Sequence, residues 1–112
     1  MTPPDGAVDL GDGHWVTWFV WSPDRDLNPQ HVGLDDLDPA GVIVWHQART
    51  LADDAECKGA VTFTPPGTHR HLFAGRPTWE VESLDPLTIS PSVLCRRCGD
   101  HGFIRGGRWV RA

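Results

Sequence analysis

The residues that could do chemistry crowd into the last eighteen of 112, where Cys95-Arg96-Arg97-Cys98 is followed at once by Gly99 and then by His101. Two thiols at C-x-x-C spacing can turn toward one point if a glycine supplies the φ > 0 backbone that such a knuckle needs. That is half of a tetrahedral zinc site. A third cysteine, Cys57, stands far upstream, and three thiols cannot all pair within one chain. Metal binding, catalysis and plain burial remain, and the spacing favours metal.

The fourth ligand must then be a histidine. Val42–His46 (VIVWH) and Ala60–Thr64 (AVTFT) read as strands. If they pair as a hairpin, His46 and Cys57 meet at one end, opposite the knuckle. His69 and His71 sit among prolines and glycines and are weaker sources. A redox role for the C-x-x-C is opposed by Gly99 and Gly102, because reactive dithiols usually occupy a helix N-terminus. Glu80, Glu82 and Asp100 could act as bases beside a catalytic zinc, yet none stands in H-E-x-x-H spacing. No Ser/His/Asp order or phosphate-binding glycine loop stands out. Asp24, Asp26, Asn28 and Asp35 are spaced like a calcium loop, but Pro29 occupies the position that calls for glycine.

Strands must hold these groups. His14–Trp21 (HWVTWFVW) is apolar on both faces, as a central strand is, and its tryptophans read as core. Residues 22–41 hold three prolines and no sustained periodicity, which suggests a functional loop or a helical turn near Leu34–Leu37. A second turn of helix fits Thr50–Glu56. Thr78–Glu82 (TWEVE) alternates like a strand solvated on one face. Leu87–Leu94 follows, with Pro91 marking an edge, a bulge or a break. In the tail, Phe103, Ile104 and Arg105 face Val110, Trp109 and Arg108 across a Gly106-Gly107 primed turn. Arg105 opposite Arg108 is a like-charge pair that costs stability without an anion or acid nearby.

Charge is uneven. Residues 1–94 carry five Lys or Arg against fourteen Asp or Glu, and residues 95–112 carry five Arg against one Asp. The arginines can answer the chain's own carboxylates. Alternatively, Arg96, Arg97, Arg105 and Arg108 could contact nucleic acid, though the acidic remainder opposes its approach.

The run Leu87-Thr88-Ile89-Ser90-Pro91-Ser92-Val93-Leu94, then Cys98-Gly99-Asp100-His101-Gly102-Phe103-Ile104 through Arg108, resembles the tail of a family of small phage and bacterial proteins of unassigned function. Some of its members carry an ammonia monooxygenase label. Trp79 matches that family's aromatic in the preceding strand. The resemblance implies Cys98 and His101 as metal ligands, and so favours His101 over His46 as the fourth. It also implies a phage-type accessory protein.

The expectation is therefore a mainly β protein: a flexible leader over 1–13, then a single zinc-stabilised antiparallel domain over 14–112 with a zinc knuckle, a C-terminal hairpin, long loops and little helix. A structural zinc would be held by Cys57, Cys95, Cys98 and His101, with His46 the alternative. The expected function is an interaction module with a protein partner, phage-type or virion-associated. A zinc-dependent hydrolase and a nucleic-acid-binding zinc module are the alternatives. With neither a secretory signal nor a transmembrane span in the sequence, the expected compartment is the cytoplasm.

Overall fold

The computed structural model describes residues 3–19, 39–47, 56–64 and 77–112. Among the described residues nine strands run in chain order: β1 (Val8–Gly11), β2 (His14–Phe19), β3 (Gly41–Gln47), β4 (Glu56–Thr62), β5 (Glu80–Leu84), β6 (Leu87–Ser90), β7 (Val93–Leu94), β8 (His101–Arg105) and β9 (Arg108–Arg111). They form an antiparallel sheet β1-β2-β3-β4, a β5-β6 hairpin and a small sheet β7-β8-β9. The described residues contain no helix, and so none long and apolar enough to cross a membrane.

The stretch expected as a leader contains β1. Leu10 is only 1% exposed, and Asp12 and Gly13 adopt φ of 52° and 74°, which closes a tight hairpin onto β2. Within that stretch, Val8–Gly11 therefore pairs with β2 as part of the sheet. As expected, β2 is internal to its sheet, between β1 and β3. Its burial is uneven, however: on one face His14 and Val16 are buried but Trp18 is 39% exposed, and Trp15, Thr17 and Phe19 on the other are half-buried. The helical turn expected at 34–37, the calcium-like aspartates, His69 and His71 lie outside the described residues, as does the one expected over Thr50–Glu56 except for Glu56, which begins β4.

Leu10, Val16, Val42, Val44, Val61 and Phe63 of the first sheet and its extension meet Leu87, Ile89, Val93, Ile104 and Trp109 in one core. Fully burying such a side chain contributes roughly 1.5–3 kcal/mol, so this seam holds the first sheet to the C-terminal strands. A parallel bridge between Phe63 and Trp79 ties the end of β4 to the start of β5. Pro91 interrupts the Leu87–Leu94 run, which splits into β6 and β7. The tail hairpin has the expected register, with Ile104 opposite Trp109 and Arg105 opposite Arg108. Gly106 and Gly107 at φ 56° and 74° form its primed turn.

Candidate functional site

Two constellations adjoin β7, β8 and the segment between them. The first is the cysteine cluster. His46 and Cys57 are paired across β3 and β4. Gly99, at φ 80°, folds the chain so that its N–H donates to the Cys95 carbonyl at 2.7 Å. One ligand atom each from His46, Cys57, Cys95 and Cys98 then lies within 4.8 Å of all the others. Four ligands around a zinc with bonds of about 2.3 Å to sulfur would sit about 3.8 Å apart, so the donor set fits a tetrahedral, thiophilic cation. Burial, and after it the adjacent Cys95 and Cys98 thiols, push the Cys57 thiol from its ordinary value of 9.0 up to about 12. A metal bound there would have to displace that proton, since it binds the thiolate.

His46 is braced from behind. Its Nδ1 lies 3.0 Å from the Gln47 carbonyl and 3.5 Å from Asp100 Oδ2. An Nδ1–H donating to that carbonyl leaves Nε2 unprotonated, as a metal ligand must be. Asp100 also bonds His14 Nε2, and both side chains are 2% exposed. The His14 ring stacks between His46 at 4.9 Å and Trp109 at 4.0 Å. Sequence reasoning weighed Asp100 only as a possible base and missed its link to His14, because nothing local in the chain pairs residues 86 positions apart.

The second constellation is at the surface. His101, which the tail resemblance nominated as a metal ligand, points away from the cysteines: its Nε2 lies 2.7 Å from Ser92 Oγ. Strand register explains the meeting. His101 pairs with Leu94, and Ser92 stands two residues before Leu94 on the same face, a diagonal within side-chain reach. The backbone of Ser92 is fixed by Trp79, whose Nε1–H donates to its carbonyl at 3.2 Å. Glu80, the residue after Trp79, pairs with Ser90.

A serine hydroxyl hydrogen-bonded to an imidazole is the minimal apparatus of nucleophilic acyl transfer. A family model described as a bacterial ubiquitination-like system serine protease, BubE, matches residues 54–112, just over half of the chain. The chain belongs to the BubE family. No curated protein and no solved structure matches. The match overturns the reading of this chain as a phage-type or virion-associated interaction module, since the BubE description names a protease. The alternative reading as a zinc-dependent hydrolase is nearer, although the family description names a serine protease and no metal. Ser92, His101, Glu80 and all three cysteines fall inside the matched span, whereas His14 and His46 precede it.

Two of the four arginines weighed for nucleic acid have local partners. Arg97 donates to the Glu56 carbonyl at 2.9 Å, and Arg105 lies 4.2 Å from the Phe103 ring centroid. Arg111 pairs with Asp12 at 3.0 Å. Arg96 and Arg108 are exposed.

Proposed function

We propose that the chain is a serine hydrolase of peptide or isopeptide bonds, with Ser92 as nucleophile and His101 as general base. The observation that carries it is the 2.7 Å contact between Ser92 Oγ and His101 Nε2 in a chain of a serine protease family. His101 Nε2 takes the hydroxyl proton as Ser92 Oγ attacks the substrate carbonyl carbon. The same proton passes to the leaving amine as the scissile C–N bond breaks, which leaves an ester on Ser92. Water, deprotonated by His101, then attacks that ester and releases the acid. Glu80 is the carboxylate we assign to orient the imidazole. Its partner strand carries Ser90, two residues from the nucleophile.

Within this reading the cysteine cluster holds a structural zinc through Cys57, Cys95, Cys98 and His46. Four protein ligands leave no open position, so such a zinc would clamp the fold rather than polarise a carbonyl. The substrate is a protein component of a bacterial ubiquitination-like system.

The test is labelling with a small fluorophosphonate followed by peptide mapping. The label should fall on Ser92 and be lost in Ser92→Ala. The labelling rate should drop on the order of 10^4-fold or more in His101→Ala, because nucleophile and base act as a unit. Well-folded wild-type protein that resists the reagent at Ser92 would sink the assignment.

A further inference from the structure

The far edge of β4 is clamped at both ends and open between them. The Phe63 N–H bonds the Ala40 carbonyl at 2.9 Å, so Phe63, Val61, Gly59 and Cys57 direct their backbone groups toward β3. Alternation along a strand then turns those of Glu56, Lys58, Ala60 and Thr62 outward. The Glu56 carbonyl is taken by Arg97 at 2.9 Å, and the Thr62 carbonyl by the Trp79 N–H at 2.9 Å. Among the described residues the N–H and C=O groups of Lys58 and Ala60 meet no such partner, and Lys58, Gly59 and Ala60 are exposed.

Beside this window runs a cleft of about 190 Å³, walled mainly by Val44, Gly59, Val61, Trp79, Val93 and Trp109, bounded by His46, Cys95 and Asp100 of the cysteine site and flanked by Arg96 and Arg97. Its opposite side is β7. The Cys95 N–H bonds the Asp100 carbonyl at 2.8 Å, so by the same alternation Leu94 turns its backbone groups away from β8. Leu94 is 54% exposed. Val93 directly follows the nucleophile, and Trp79 holds the nucleophile's carbonyl. Two further features suit an occupant. Trp109 is 7% exposed and its Nε1–H has no acceptor among the described residues. A Cβ placed on Gly59 would meet nothing within 4 Å.

We infer that this cleft is the substrate's acyl-chain subsite, where an extended peptide adds as a strand to the β4 edge at Lys58 and Ala60 and presents its carbonyl to Ser92. The inference rests on the serine hydrolase reading for its last clause only. Residues directly opposite across a ladder point to the same face, so the peptide residue facing Gly59 sends its side chain into the apolar cleft. Arg96 and Arg97 stand at the Glu56 end and Trp79 with Ser92 at the Thr62 end. At about 3.4 Å per residue, the arginines select an acidic residue within about four positions of the scissile bond.

Two substitutions address the subsite without touching Ser92 or His101. Gly59→Val fills the cleft from a position with ordinary backbone φ. Ala60→Pro removes one of the two outward N–H groups an added strand would use, and an edge strand tolerates proline there. The probe is a fluorescein-labelled positional library of acetylated hexapeptides, its binding to the full-length Ser92→Ala protein read by polarisation. Pools fixed as Asp or Glu at one position should bind at least tenfold tighter than the same pools fixed as Lys. Each substitution, added to Ser92→Ala, should weaken binding at least tenfold with the melting temperature kept within a few degrees. Failure of every pool to bind, or equal binding by both folded variants, overturns the subsite. Fluorophosphonate labelling of the wild type reports separately on the hydrolase reading, so binding without labelling would keep the subsite and remove only the chemistry.

Discussion

Cys57 illustrates how one side chain's proton ties stability to metal. In the metal-free fold its thiol sits at about 12 against an ordinary 9.0, chiefly because it is buried. The unfolded chain therefore releases that proton first as pH rises. The stabilisation is whole below about pH 9 and fades between about 9 and about 12. A bound metal reverses the sign, since it requires the thiolate and competes with protons, so affinity should fall as pH drops. Denaturant melts of chelated and metal-loaded protein across this window should diverge, the chelated form alone losing stability with rising pH. Parallel curves would show that the thiol keeps its proton in both. The C-x-x-C spacing and Gly99 made the cluster legible in the sequence. Which histidine closes it was not legible, because His46 and His101 both lie within reach of a knuckle and only β3–β4 register separates them.

The β7–β8 pairing decides what His101 can touch, and it depends on a close approach that only glycine permits. A Cβ on Gly102 would lie 2.6 Å from the Trp109 ring and 2.8 Å from the Val110 carbonyl. Gly102→Ala must therefore displace a buried tryptophan or spread the hairpin, at about 1–3 kcal/mol of stability. Thermal melts should register that loss, and Ser92 should label more slowly as the neighbouring His101 shifts. An unperturbed melting temperature would mean that the strands give way easily here. Most strands were legible from apolar runs and alternation, and the tail hairpin was legible to its register through Gly106-Gly107. The Ser92–His101 contact was not. It needs a two-residue strand to pair across the knuckle, and two residues carry no periodicity to read. Glu80→Gln tests the neighbouring strand: turnover should fall while the melting temperature holds, and an unchanged rate would remove Glu80 from the orienting role.

At the scale of the whole molecule, the first sheet and the C-terminal strands are joined by a polar bolt as well as by the core. His14 on β2 reaches Asp100 in the knuckle, Asp100 in turn faces His46, and all three are buried. Removing one partner of a buried pair leaves the other uncompensated, which typically costs about 3–5 kcal/mol. Asp100→Ala should accordingly destabilise the fold by that order in denaturant melts and weaken metal retention roughly 10 to 100-fold through His46. A loss below about 1 kcal/mol would show that water replaces the carboxylate. Overall β architecture and the metal-ligand types were readable from composition and spacing. The bolt was not, because residues 14 and 100 carry no local signal of each other.

The knuckle also bears on how inhibitors of this protein would be classified. Cys95, Cys98, Asp100 and His101 fall within seven consecutive positions, so on the proposed reading the base that would activate Ser92 is moored beside the cysteine cluster. A chelator that empties the cluster would then slacken the mooring and silence the serine, even with a zinc whose proposed role is structural. Screened with the usual reagents, the protein would thus respond like a serine enzyme to fluorophosphonates and like a metalloenzyme to chelators. Only the time courses would separate the two, immediate for the first and paced by loosening of the fold for the second.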